Sequence, residues 1–417
     1  MRILWFTNNQ ANYKSYKNSS DYNGGGWMSA LQDELIKQPN IALGVCFCKN
    51  GEPQKVIQDN VCYYPIPHHV KSPKNKILDF IYYNDAERDK HLWSYYINSF
   101  RKIIDDFKPD VIEIFGSELY VGLASIAAKG YPTILHIQGV LSLYIYTFLP
   151  PGVSKWQYIW KDRSIKSVYN NFQTLIYWKR SCVREKAILK AVSHVIGRTN
   201  WDKTALSLLN PNAKYHYGGE ILRPEFYETS IRKIPSRITI ISTISSPPYK
   251  GYDLILKTAN ILKNELNIDF EWNVFGNISP FFFEKHLKLN HNNLNIKLRG
   301  VASAKQLRDS LLYSTLYFHP SYIENSSNGI AEAQILGIPV VATNVGGTPS
   351  MVKNGYTGYL FPATDPYMAA YHIIKLSSNL ELNQNMGNTA KKIAINRHNK
   401  IDIVNNLLKT YENIMKE

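Results

Sequence analysis

The stretch His319-Pro320-Ser321-Tyr322-Ile323-Glu324-Asn325-Ser326-Ser327-Asn328-Gly329-Ile330-Ala331-Glu332-Ala333-Gln334 leaves a short apolar run, Leu316–His319, and enters a helical pattern. Ser326, Ser327, Asn328 and Gly329 stand at the junction. Short polar residues there cap a helix, whose first-turn N–H groups have no intrahelical acceptor. Such an end is a ready site for phosphate. Glu332 lies one turn further in, ~6 Å along the axis at ~1.5 Å per residue. That is the separation between a nucleotide's pyrophosphate and its ribose, and a carboxylate there can accept from two vicinal hydroxyls. Glu324, in the loop before the cap, is within reach of a sugar on the distal phosphate. Taken alone, the pair reads rather as two surface glutamates beside a well-capped helix.

Working outward, the same rhythm of apolar run, polar or glycine turn and amphipathic stretch recurs. The second half has runs at Arg237–Ser242, Trp272–Phe275, Ile296–Leu298, Leu316–His319 and Pro339–Thr343. The first half has Ile3–Thr7, Ile41–Phe47, Val111–Phe115, Thr133–Ile137 and His194–Thr199. Short Ile- and Val-rich runs bounded by turns suit buried parallel strands. Between them lie helical stripes such as Trp27, Met28, Leu31, Leu35 and Ile36. Alternation of this kind predicts doubly wound α/β sheets. One sheet would need about ten strands, so two Rossmann-like domains are the economical arrangement. The predicted join is near Tyr217–Pro235, where glycine, proline and charge interrupt the pattern. The expected domains are 1–220 and 235–385, followed by a helical segment over 386–417.

Three further stretches sit at predicted strand ends, the edge where open α/β sheets bind ligands. Ser245-Ser246-Pro247-Pro248-Tyr249-Lys250-Gly251-Tyr252-Asp253 follows the first strand of the second half, and Lys250 can neutralise a pyrophosphate there. Asp21-Tyr22-Asn23-Gly24-Gly25-Gly26-Trp27 opens a helix, and Gly24, Gly25 and Gly26 allow close backbone approach to a ligand. His136, in Leu135-His136-Ile137-Gln138-Gly139, is placed either to donate to a phosphate or sugar hydroxyl or to sit satisfied in the core.

The 417 residues are 44% hydrophobic and 19% charged, which excludes a disordered or fibrous chain. No apolar run reaches the ~18–20 residues that span a bilayer. The polar turn after Phe6 argues against a signal peptide, and four cysteines are too few for a disulfide scaffold, so a cytoplasmic location with reduced thiols is expected. A net charge of +15 favours anionic partners. Residues 141–190 concentrate aromatics (Tyr146, Trp156, Trp160, Tyr169) beside cations (Lys155, Lys161, Lys166, Arg180, Arg184). This suits either an anionic membrane surface or helices with an aromatic core face and a solvated basic face. No nucleic-acid module accompanies it, which leaves nucleic acid an unlikely partner.

With these residues in hand, the chain resembles the retaining glycosyltransferases of the GT-B fold, glycosyltransferase family 4 (group 1). The likeness is clearest from Ile238 to Leu376: the Lys250-Gly251 turn, Phe275-Gly276, Arg299-Gly300, the Glu324-x(7)-Glu332 pair and Gly346-Gly347 occur in the family's order. The resemblance implies two Rossmann-like domains about a cleft, with the C-terminal helix packed back on the N-terminal domain. It implies a nucleotide diphosphate sugar donor, UDP or GDP type undecided, and no cofactor or metal. Glu332 would hold the ribose, Glu324 the donor sugar, Lys250 and the Ser327–Gly329 amides the diphosphate. Gly24–Gly26 would line the cleft, and His136 would touch the transferred sugar. The Arg that many members carry before the Lys is absent from Thr243-Ile244-Ser245-Ser246, with Arg299 the candidate substitute, and Ser350 stands where the family often has Glu. The implied reaction is hexose transfer with retention to a glycan acceptor, lipid-linked and at the inner membrane face. The alternatives are a non-catalytic binder of an anionic polymer and a nucleotide-sugar epimerase.

Overall fold

The computed structural model describes residues 1–15, 26–70, 72–162, 164–229 and 231–417. It divides into two compact units. Unit one is Met1–Ile145, Tyr169–Ile221 and Asn399–Glu417; unit two is Tyr146–Val168 and Leu222–His398.

In unit one the strands are β1 (Arg2–Phe6), β2 (Ala42–Cys48), β3 (Val56–Gln58), β4 (Val61–Ile66), β5 (Val111–Phe115), β6 (Thr133–His136), β7 (His194–Gly197) and β8 (Lys214–Tyr217). They lie in the order β3-β4-β2-β1-β5-β6-β7-β8, all parallel except β3 against β4. The order reverses between β1 and β5, which makes their carboxyl ends the switch point of this sheet. The helix Lys90–Phe107 covers one face because Leu92, Tyr96, Phe100, Ile104 and Phe107 recur at helical spacing and are all buried. Phe6, Ile112, Ile114, Ile188 and Leu189 fill the same core.

Unit two has β9 (Ile238–Thr243), β10 (Phe270–Phe275), β11 (Ile296–Gly300), β12 (Leu316–His319), β13 (Val340–Thr343) and β14 (Gly358–Phe361). Their order is β11-β10-β9-β12-β13-β14, all parallel, with the switch between β9 and β12. Both units are therefore doubly wound, as the alternation predicts. The sequence pattern did not yield β3, β4, β8 or β14. β4 contains a proline and β8, Lys214-Tyr215-His216-Tyr217, is a polar edge strand.

The terminal helical segment is two helices, Leu380–Arg397 and Lys400–Ile414. They part at Asn399, whose side chain caps the second. The first belongs to unit two and the second to unit one. The aromatic and basic stretch also divides. Tyr146–Val168 belongs to unit two, whereas Arg180 and Arg184 are buried structural cations of unit one, paired with Asp79 and Asp89. No helix among the described residues is long and apolar enough to cross a membrane.

Candidate functional site

In unit two the loops after β9 and β12 meet at the switch point. Lys250 Nζ lies 2.7 Å from Glu324 Oε2, and His319 Nε2, at the end of β12, lies 3.3 Å from the same oxygen. Burial alone would raise the Glu324 pKa, but the Lys250 ammonium and the His319 hydrogen bond overcome it and hold the carboxylate well below its usual range. Burial works against the charge on Lys250, and the facing carboxylate outweighs it, so Lys250 stays an ammonium.

Two glycines let this cluster close. Gly251 has φ +79°, and a Cβ on it would run into the Pro320 carbonyl oxygen; the Tyr322 amide donates to Tyr249 O at 2.7 Å beside it. Gly346 has φ +51°, and a Cβ there would strike the Glu324 carbonyl oxygen, which accepts from the Gly347 amide at 2.8 Å. The Lys-Gly and Gly-Gly turns thus clamp the Glu324 loop from two sides. Gly251→Ala or Gly346→Ala is expected to destabilise by at least ~1–2 kcal/mol from the left-handed backbone alone, with the steric conflict in addition. Urea titration monitored by circular dichroism checks this.

The helix Asn328–Ile335 begins where the sequence places it, with the Ser327 side chain accepting from the Ile330 amide. The Ser327 amide points at Met351 Sδ, 3.2 Å away, so it is engaged inside the unit. Asn328 is exposed and Ser326 half-buried. Gly329 packs over the Tyr317 hydroxyl, which lies 2.6 Å from Thr243 Oγ1. Only a residue without a side chain fits there. Burial, more than any neighbouring charge, pushes the Tyr317 hydroxyl pKa up, with Glu332 and Glu324 adding to it.

Glu332 is 4% exposed and has a partner the sequence reading missed. Arg223 Nε and Nη2 lie 2.9 and 2.8 Å from its Oε1. Burial dominates nonetheless and pushes the Glu332 carboxyl up to about 7 against the pull of Arg223. Arg223 falls in the predicted inter-domain join, so nothing in the pattern flagged it. Arg299 is held by β10 instead: its Nε donates to Asn273 Oδ1 at 2.6 Å and its Nη2 lies 3.6 Å from Glu271 Oε1.

In unit one Gly24 and Gly25 lie outside the described residues, and Gly26 is the first residue of the helix Gly26–Leu35. His136 is 2% exposed at the end of β6. Its Nδ1 is 2.9 Å from Glu113 Oε1, and Glu113, fully buried on β5, also accepts from the Tyr411 hydroxyl of the C-terminal helix. Burial lowers the His136 pKa against the pull of Glu113. The imidazole is sandwiched against Phe115 and Trp27, with ring centroids 5.3 and 5.2 Å away.

Residues 227–393 match the family described as glycosyl transferases group 1. Among curated relatives, a capsular polysaccharide biosynthesis glycosyltransferase, CapM, of Staphylococcus aureus is 27% identical over 214 residues, half of this chain and 48% of that one. The chain spans about half or less of the length of the curated relatives it matches. Two solved structures share the whole fold. Sucrose-phosphate synthase of Thermosynechococcus elongatus superposes with a TM-score of 0.72 at 14% identity, covering 100% of this chain and 99% of that one. Anabaena Alr3699/HepE, in complex with UDP and glucose, gives 0.64 at 16%, covering 99% and 100%. The architecture is that of GT-B glycosyltransferases.

Proposed function

We propose that the chain is a retaining, metal-independent glycosyltransferase of family 4 that moves a hexose from a nucleotide diphosphate sugar to a hydroxyl of a glycan acceptor. The observation that carries this reading is the Lys250–Glu324 pair beside a capped helix that bears Glu332 one turn in. The ammonium has three N–H donors and uses one on Glu324. The others, with the Asn328 and Gly329 amides at the helix opening, face the diphosphate, while Glu332 takes the ribose hydroxyls. Glu324 holds the hexose.

As the bond from the anomeric carbon to the diphosphate oxygen breaks, Lys250 meets the negative charge that grows on the leaving oxygen. The acceptor hydroxyl attacks from the face the diphosphate leaves, and its proton passes to a departing phosphate oxygen. UDP-glucose is the first donor to test, because the Anabaena relative of the same fold is bound to UDP and glucose. The test is release of nucleoside diphosphate and transfer of labelled hexose across a panel of UDP and GDP sugars. Transfer that survives both Lys250→Ala and Glu332→Ala unchanged sinks the assignment.

We place the acceptor on a lipid carrier at the cytoplasmic membrane face. Trp156, Trp160 and Ile165, in the segment Tyr146–Val168, are 72%, 57% and 90% exposed beside Lys155, Lys161 and Lys166. Exposed rings and aliphatics among lysines suit an anionic interface. Flotation with phosphatidylglycerol vesicles is expected to carry the protein upward at low salt and to fail at high salt. No flotation at low salt removes this part of the reading.

A further inference from the structure

Apart from the Lys250–Glu324 cluster, unit two carries an open groove of about 720 Å³ whose two walls repeat one pattern. One wall is the short helix Lys155–Ile159 and the turn after it. Tyr158 and Ile159 are buried and seat this wall, while Gln157, Trp160 and Lys161, at the spacing of one helix face, line the groove. The other wall is the helix Phe281–Leu287. Phe283 is buried against Tyr252, with ring centroids 6.4 Å apart, and Phe282, Lys285 and His286 line the groove at the same spacing.

The lining is cationic and rich in donors. No carboxylate belongs to it. Glu284, on the second wall's helix, is engaged by the Tyr252 hydroxyl at 3.0 Å and His291 Nδ1 at 2.6 Å. Asp162 is exposed and does not line the groove. Lys161 Nζ lies 4.8 Å from the Tyr158 ring centroid and Lys285 Nζ 5.8 Å from that of Phe281, contacts that steer the two stems and leave N–H groups for a ligand. The Gln157 side-chain oxygen accepts from the Ser154 amide at 2.7 Å, so its NH2 is the group left to donate. Trp160, 57% exposed, offers a ring face and an indole donor. The Phe282 ring is stacked on His286, with centroids 6.0 Å apart. Walls of one sign of charge concentrate anions between them.

These features choose among anionic ligands. A concave trough does not fit the flat surface of a bilayer, and Trp156 and Ile165, on which the membrane reading rests, do not line it. Single-stranded nucleic acid stacks successive bases on several free rings, whereas Phe282 already carries His286 and Trp160 is the open platform. A neutral glycan has no charge to offset the desolvation of two ammonium groups. A sugar chain that bears carboxylates fits: the C–H face of a pyranose covers the indole, and the carboxylates accept charge-assisted hydrogen bonds from the lysines.

We propose that this groove binds an acidic glycan, with a sugar ring on Trp160 and carboxylates met by Lys161 from one wall and Lys285 from the other. The site is separate from the donor cluster, and its test needs no turnover.

The test is isothermal titration of the full chain with oligogalacturonate, oligomannuronate and hyaluronan fragments. Maltotetraose and cellotetraose are the neutral counterparts, and oligo-dT is the nucleic acid. At least one acidic oligosaccharide is expected to bind about ten-fold tighter than both neutral ones, and Lys285→Glu to remove about that factor, since it deletes an attraction and adds a repulsion. Trp160→Ala is expected to weaken binding and Trp160→Tyr to restore part of it. UDP is expected not to compete. Flotation of Lys285→Glu with phosphatidylglycerol vesicles is expected to match the parent's. Lys285 is exposed, and the melting temperature of each variant checks its fold. The site is overturned if no acidic oligosaccharide binds, if the neutral ones bind equally, if oligo-dT binds more tightly, or if UDP displaces the glycan. Loss of flotation in step with glycan binding assigns the groove to the membrane surface and overturns it too. Absence of sugar transfer with the glycan still bound here overturns the transferase reading instead and leaves this site standing.

Discussion

Lys250→Ala is expected to lower kcat by about 10²–10³-fold, the cost of removing one preorganised group that stabilises charge in a transition state, while donor KM moves much less. Negative charge grows on the leaving diphosphate only as the glycosidic bond stretches, so an ammonium there contributes more to the transition state than to the ground state. Lys250→Arg keeps the charge but spreads it over a planar fork, and partial activity is expected. The substitution also acts on folding. Glu324 is buried and its pKa is held well below the usual range despite that burial, by Lys250 and His319. A depressed folded-state pKa contributes stability above the unfolded value, ~4.3, that is lost as pH falls through the folded one. Lys250→Ala removes most of that contribution. The variant should therefore melt lower than the parent at pH 7, with the gap closing as both are acidified. Calorimetry across pH 3–8 and single-turnover kinetics separate the two effects.

The residues behind that prediction show what the sequence could carry. Lys250, Glu324, Ser327 and Glu332 were legible because each stands in a local pattern: a strand, a turn, then a helix. Local patterns survive folding, since they are set by capping and by backbone φ at glycine, as at Gly251 and Gly346. Both doubly wound sheets were legible for the same reason, through buried strands that read as continuous apolar runs. What was not legible is pairing across distance. Arg223 meets Glu332 from 109 residues away, and Tyr411 meets Glu113 across 298. No periodicity relates such positions, and only the packed chain decides them. Arg299 shows the converse. It was the candidate substitute for the Arg that the stretch before Lys250 lacks, but β11 is the edge of the sheet, two strands from β9, and the guanidinium is held by its neighbour strand.

Glu332 carries the second large effect, and its buried state makes that effect depend on pH. A carboxylate that accepts from two vicinal hydroxyls makes two hydrogen bonds to a charged group, each ~1.5–3 kcal/mol before the costs of binding. Glu332→Ala is expected to weaken donor binding about 100-fold, as read by isothermal titration. Only the ionised group accepts from both hydroxyls without donating, and burial has moved its titration to about 7. Donor affinity should thus climb between pH 6 and 8, and Glu332→Gln should flatten that climb. Stability runs the other way. A raised folded-state pKa means the native state holds a proton that the unfolded state has already lost, so the stabilisation is complete below ~4.3 and disappears as pH rises through about 7. Arg223 limits the penalty, because its guanidinium is the counter-charge to the ionised form. Arg223→Ala should push the Glu332 titration further up, move the affinity midpoint above 7, and cost more donor affinity at pH 7 than at pH 9. An Arg223→Ala profile that superposes on the parent's would mean that the pair seen in the free protein has no part in binding, and that Glu332 meets the ribose only after Arg223 has swung away.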